Sequence, residues 1–353
     1  MWGSVIGDII ASKFKFGDEH TSSDLFSKEN IFTENTIYVS SFAQATEHVQ
    51  NNSNFLNNLK EKYSDSISKI EDKQSAFIKK KYTDILKNNI NKYSFSIFNP
   101  SVKDWCENEN SFTDYYAFAS INQIVLQSQT LEEALFLIKH VSNIYTIPFN
   151  ISNIYTQLLW ICKNEDGNIL DIKAKLIEFL NNNNLQYRAL EYYKTNDVTT
   201  LDDMLLRCLS CVLSSFSFEE SIKNALELKG DKCFNLNIIG TLAEMMYAIP
   251  ESYLYQSVNY FDHSSLPLIK HINKNYLKKN NYGLLAKQNL NKNNDFYKHI
   301  SELNLKDPTA AWDPLTEVSE DDFYSNYEKK IHYEQKNFFS KIIDNIKKFL
   351  YQK

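Results

Sequence analysis

Residues 217–252 read SFEESIKNALELKGDKCFNLNIIGTLAEMMYAIPES. Ser217, three residues ahead of Glu220, has the form of a capping box, in which a hydroxyl accepts from an orphan backbone N–H and the acid reaches back to the start of the turn. After the break at Gly230-Asp231, residues 236–249 place Leu236, Ile239, Gly240, Ala243 and Met246 on one face of a helix. Pro250, which has no N–H to give, is expected to close it. The stretch therefore reads as helix, acidic turn, apolar helix. The same grammar recurs outward along the chain: Thr130 with Glu133 and Thr200 with Asp203 open further periodic segments in the same way. Apolar residues return at helical spacing nearly everywhere and strand-type alternation is hard to find, so the fold class is expected to be all-α, a compact multi-helix bundle.

Glycine is scarce, seven in 353 residues, which makes its placement informative. Gly3 and Gly7 lie in one short segment, Gly230 and Gly240 in another. A glycine inside a helix costs about 1 kcal/mol relative to alanine, so Gly7 and Gly240 are expected to mark a close approach of helix to helix or of backbone to ligand.

The chain is long enough to bury a large core, and 43% apolar with 14% aromatic residues can fill one. A net charge of −6 argues against a phosphate backbone or anionic membrane surface as partner. The first residues lack the pattern of a signal peptide and no run approaches the roughly 18 apolar residues of a membrane span, so a cytoplasmic protein is expected. Five cysteines fit reduced thiols. Cys208 and Cys211 form a C-x-x-C pair inside DMLLRCLSCVLSSF, which reads as a buried helix and lacks a second ligand pair at zinc spacing. No two of the seven histidines stand at i, i+3 or i+4, so a histidine metal site or a Cys/His nucleophile has little support.

From about residue 272 the composition turns to Asn and Lys, in INKNYLKKNNYGLLAKQNLNKNND, followed by the loop DPTAAWDPLTEV. We accordingly divide the chain into a helical domain, 1–275, and a linker with a helical C-terminal extension, 276–353. In that extension Phe339, Ile342, Ile343, Ile346, Phe349 and Leu350 share a helical face, and the helix over 325–351 is expected to have that face covered.

Two acidic clusters stand at helix starts: Thr33-Glu34-Asn35-Thr36, and Gly230-Asp231-Lys232-Cys233-Phe234. Each alone reads as an ordinary cap. In order and context they resemble the ADP-ribosylglycohydrolases. WGSVIGDIIASKF is similar to that family's G-x-x-x-G-D-x-x-G-S opening, keeping Gly3, Gly7, Asp8 and Ser12. FTENTIYVSSFAQA is similar to its F-T-D-D-T segment, and residues 130–160 to the stretch carrying T-H-N-H-P-E-G, with Pro148 retained. Residues 217–251 are similar to its closing segment, with the spacing from Ser217 to Glu251 preserved.

The resemblance implies hydrolysis of a glycosidic bond between ADP-ribose and a protein side chain, with two magnesium ions positioning the ribose and a water. This chain departs from that pattern at most of the metal positions. The aspartates of the first cluster are Glu34 and Asn35; in the second, Asp231 survives beside Lys232, Cys233 and Phe234. The segment contacting substrate has become YYAFASIN, with Ser120 where an arginine is usual, and the histidine-rich segment has Tyr145, Ile147 and Phe149 at its histidine and acid positions. A local charge of about −4 falls to about −1, and each unit at 4 Å is worth about 4 kcal/mol at an effective dielectric near 20. Neither magnesium nor another cofactor is therefore expected at Thr33, Glu34, Asn35, Asp231, Cys233 and Phe234.

The expected function is that of a catalytically inactive relative that binds ADP-ribose, an ADP-ribosylated protein or an ADP-ribosyltransferase, the last suiting an immunity-type role. Thr33, Glu34, Asn35, Ser120, Asp231 and Lys232 are its candidate ligand residues. An altered hydrolase without metal, with Glu34 or Asp231 as general base, is the alternative. A purely structural protein, its cleft filled by Phe234, Phe149 and Tyr145, is a third reading. The pattern requires Glu34 and Asp231 to come together, and Lys232 is expected to take a cation's place beside one of them.

Overall fold

The computed structural model describes residues 2–16, 25–51, 67–93, 102, 105–106, 118–142, 148–262, 264–274 and 282–302. Every regular element among them is helical and none is a strand, as the periodicity predicts. In chain order the α-helices are α1 (Trp2–Ala11), α2 (Glu34–Asn51), α3 (Ile67–Lys92), α4 (Ile121–Gln127), α5 (Leu131–Ser142), α6 (Phe149–Asn164), α7 (Ile169–Asn182), α8 (Leu190–Thr195), α9 (Leu201–Ser214), α10 (Phe218–Glu227), α11 (Lys232–Met246), α12 (Glu251–Val258), α13 (Leu266–Lys274), α14 (Leu284–Lys292) and α15 (Asn294–Glu302). A 3₁₀ turn, Ser12–Phe16, follows α1. None of these helices is long and apolar enough to cross a membrane.

The axis of the fold is the pair α1 and α11. All of α1 is buried, and so is α11 from Cys233 to Met246, so both are helices wrapped on every side. Glycine sets their separation. A Cβ on Gly3 would lie 2.0 Å from the Gly240 carbonyl oxygen, one on Gly240 2.1 Å from the Gly3 oxygen, and one on Gly7 2.2 Å from the Leu236 oxygen. The close approach expected of Gly7 and Gly240 is thus between helix backbones. Glu244 on α11 accepts from the Gly3 N–H at 2.9 Å, supplying an acceptor for the buried first turn of α1, whose N–H groups have no partner within the helix. Around this pair, α9 and α10 flank α11, while α2 lies against α1, α3, α4 and α13.

The hydroxyl half of each capping box forms as read: Thr130 accepts from Glu133 N–H at 3.1 Å, Thr200 from Asp203 N–H at 3.2 Å and Ser217 from Glu220 N–H at 3.0 Å. The acids do not close on the cap's own N–H: Glu133 and Glu220 accept from the N–H one residue earlier, of Gln129 and Phe216, and Asp203 accepts from the Thr200 hydroxyl. Asn168 and Asp171, which the sequence reading passed over, form a fully reciprocal box. The helix expected to run to residue 249 ends at Met246, and Pro250 instead opens α12. Two buried helix ends are finished by lysines from other helices. Lys163 donates to the carbonyls of Val125, in the last turn of α4, and Ser128, just beyond it, at 3.0 and 2.8 Å, and Lys173 to that of Ser215, just beyond α9, at 2.6 Å. Burial pulls Lys163 down to about 8. Cys208 and Cys211 are core side chains with raised thiol pKa values, as the buried-helix reading requires.

The compact body runs from Met1 to Leu303, not to residue 275. Asn-rich helices α14 and α15 belong to it because asparagine serves as an internal linker: Asn289 donates to the Met245 carbonyl at 3.4 Å and Asn293 to that of Ile249 at 3.0 Å. Phe296 on α15 packs edge-on against Trp2, ring centroids 5.1 Å apart. Composition alone misread these residues as linker. The second unit, 304–353, with the loop at 307–318 and the Phe339, Ile342, Ile343, Ile346, Phe349, Leu350 face, lies outside the described residues.

Candidate functional site

Asp8, near the end of α1, organises the site. Its buried carboxylate accepts five hydrogen bonds from the start of α2: Thr33 N–H at 2.7 Å, the Thr33 hydroxyl at 2.5 Å, the Asn35 amide at 3.1 Å, Thr36 N–H at 3.3 Å and the Thr36 hydroxyl at 2.7 Å. A carboxylate from a neighbouring helix therefore does for α2 what a side-chain cap does locally, and the positive end of the helix favours its charge. The approach loop is fastened to the same place. Asn30 donates to the Ile9 carbonyl at 2.8 Å, and the Ser12 hydroxyl accepts from Ile31 N–H at 3.0 Å.

Glu34, the first residue of α2, is fully buried. Its Oε1 accepts from the Lys15 ammonium, which reaches in from the 3₁₀ turn, while Oε2 has no hydrogen-bond partner. Burial raises the Glu34 carboxyl to about 7, against the opposing pull of Lys15 and with a small further push from Asp8. Asp231 caps α11, accepting from Phe234 N–H at 3.0 Å, and is exposed. The Cys233 thiol ties these groups together: burial pushes it far above its ordinary range, the charges of Asp231, Asp8 and Glu34 add to the rise, and Lys15 opposes it. The acids of the two clusters thus act on one thiol, although nearly the whole body separates them in sequence.

Lys232 does not take the expected place. Its ammonium donates to the Leu226 carbonyl at 2.6 Å and to that of Leu228, closing the C-terminal end of α10. Burial lowers its pKa, as do Lys229 and Arg207. Backbone carbonyls at a helix end, one turn back in sequence, were within reach of its arm and attract a cation. The cation beside Glu34 is Lys15, for which the sequence carried no signal. Asp8 was visible as part of the opening motif, but its role was missed, because which helix start it meets is decided by the α1 to α2 packing.

Thr33, Glu34, Asn35 and Ser120 are each at most 1% exposed, so no ligand touches them without displacement of covering chain. Ser120, at the start of α4, has a buried hydroxyl without a partner. Phe118 beside it stacks on Tyr155 at 4.8 Å and on Phe234 at 6.3 Å between centroids, so Phe234 is part of a buried aromatic stack. Phe149 is 40% exposed and fills no cleft. Tyr145 and Ile147 lie outside the described residues. The donor set does not fit a divalent pair: Asp8 is saturated by protein donors, Glu34 holds an ammonium, and among the described residues no group of three or more His, Cys, Asp or Glu is placed to hold a metal ion. No family model, curated protein or solved structure matches the chain, and the resemblance to ADP-ribosylglycohydrolases rests on the quoted segments alone.

Proposed function

We propose that the chain is a non-hydrolysing relative of the ADP-ribosylglycohydrolases that acts by binding ADP-ribose, an ADP-ribosylated protein or an ADP-ribosyltransferase, without magnesium. The observation that carries this reading is the Lys15 to Glu34 pair: an ammonium neutralises from within the carboxylate that a metal would have to use. Asp8, a second buried acid, is spent on the start of α2. Ligand contact then falls to the exposed start of α11, at Asp231 and the half-buried Lys232, while Thr33, Glu34, Asn35 and Ser120 are buried.

One feature favours the alternative, a metal-free hydrolase. A carboxyl raised to about 7 with one oxygen unpartnered is suited to exchange a proton at neutral pH. Calorimetry with ADP-ribose, with and without millimolar magnesium, and an ADP-ribose release assay on arginine- and serine-modified protein separate the two. The proposed reading expects binding indifferent to magnesium and no release. Release abolished by Glu34→Gln would establish the alternative, and magnesium-dependent release abolished by Asp231→Ala would overturn both.

A further inference from the structure

The turn that begins α11 carries a group that the site above leaves unused. Arg207, on α9, is fully buried, yet its Nη2 amino group has no hydrogen-bond partner. Its Nε donates to Asn235 Oδ1 at 3.0 Å and its Nη1 to Asp197 Oδ1 at 3.0 Å. Asp197 is 59% exposed and belongs to the short loop between α8 and α9, where it also accepts from the Val198 N–H at 2.8 Å. The guanidinium lies against Gly230, immediately before the Asp231 cap. Gly230 has φ of 79°, and a Cβ there would stand 2.4 Å from Nη1, 2.9 Å from Nη2 and 2.5 Å from Asp197 Oδ1. The backbone at this turn is therefore bare where the arginine meets it.

A buried arginine ordinarily gathers acceptors for its whole fork, because a desolvated cation with idle N–H groups is costly. This one has an exposed loop acid on one arm and nothing on the other. Lys229 and Arg207 both act electrostatically on Lys232, so three cations gather around the N-terminal end of a fifteen-residue helix, opposed by Asp197, by Asp231 and, near Lys232, by Glu227. We propose that Arg207 anchors a site for a phosphate or pyrophosphate group, and that the Asp197 carboxylate is a built-in stand-in which the ligand displaces.

Chemistry selects the ligand class. An incoming carboxylate would gain nothing over Asp197, which is tethered and so present at high effective concentration. A phosphate brings a second negative charge and more acceptor oxygens, which can meet both arms of the fork and the neighbouring lysines. The helix start adds its positive end. Asp231 repels such a ligand and confines it to the Gly230 side of the turn. The inference deepens the reading proposed above, on which it rests only for the nucleoside part of the ligand.

The test is calorimetry on the full chain with inorganic phosphate, pyrophosphate, ADP-ribose and adenosine, for wild type, Asp197→Asn and Asp197→Asn/Arg207→Gln. Removing the stand-in should tighten pyrophosphate binding at least tenfold, in a salt-sensitive way, and adenosine should show no gain. Loss of that gain in the double variant, with its helical circular dichroism retained, supports Arg207 as the anchor. Pyrophosphate binding by Asp197→Asn no tighter than by wild type overturns the proposal, whether or not the double variant folds. Persistence of the gain in a folded double variant overturns it too. ADP-ribose binding untouched by either change leaves the proposed function standing and removes this site. Pyrophosphate binding without ADP-ribose binding does the reverse.

Discussion

Asp8 is held by five donors, two of them the backbone N–H groups of Thr33, just ahead of α2, and of Thr36 in its first turn, so its charge stabilises a helix to which it does not belong. Asp8→Asn keeps the size but removes the charge and turns one acceptor into a donor facing donors. We expect a loss of about 2–3 kcal/mol, read from the denaturant midpoint at constant m-value. A midpoint within error of wild type would mean that α2 does not depend on this carboxylate. Glu34 gives a pH signature. Its folded pKa of about 7 stands above the ordinary 4.5, so its contribution is fully present below 4.5 and is lost as pH rises through 7. Glu34→Gln should remove that decline, raising stability relative to wild type above neutral pH by at most about 3 kcal/mol. Parallel pH profiles for the two proteins would refute the assignment. The sequence made Glu34 and Asp231 legible because both sit at helix starts in a recognisable order. It could not make Lys15 legible, because a long flexible arm finds its partner only after the helices have packed. The assignment of Lys232 failed on the same ground, since local carbonyls at the end of α10 compete with any distant acid.

Between elements, the contact of α1 with α11 is the most sharply defined. An alanine in place of Gly7 or Gly240 gains about 1 kcal/mol of helix propensity. It also places a methyl 2.2 or 2.1 Å from a carbonyl oxygen of the facing helix, and that atom is backbone, which cannot swing aside. Overpacking in a rigid core costs about 1–3 kcal/mol and often more, so both substitutions should lower the melting temperature, and the pair together should destabilise less than the sum of the two. Unchanged melting in Gly240→Ala would contradict the geometry. The glycines and the capping boxes were legible because each is a local rule with one cheap solution. The cap at Asn168 shows the same rule at work with asparagine and aspartate in place of the hydroxyl and glutamate that draw the eye.

At the scale of the whole molecule, the all-helical class followed from periodicity, whereas the end of the body did not follow from composition. Asn-rich sequence resembles linker, yet α14 and α15 use asparagine to close the carbonyls around α11 and α12 and present Phe296 to Trp2. A chain of residues 1–303 should therefore unfold cooperatively and stay monodisperse, while one of residues 1–275 should not. Equal cooperativity of the two by thermal denaturation would return the boundary to 275.

The joining of α1 to α11 also bears on how the protein is made. Ser4 and Asn237, bonded across that contact, are 233 residues apart. At a synthesis rate of about 5–20 residues per second, α1 leaves the ribosome roughly 10 to 50 s before the helix that shelters it exists. Throughout that interval a ten-residue segment whose every side chain belongs in the interior lacks the helix that covers its α11 side, although α2 can already meet it. The nascent chain thus carries an exposed hydrophobic handle until α11 emerges, which makes it a natural client for chaperones that hold nascent chains.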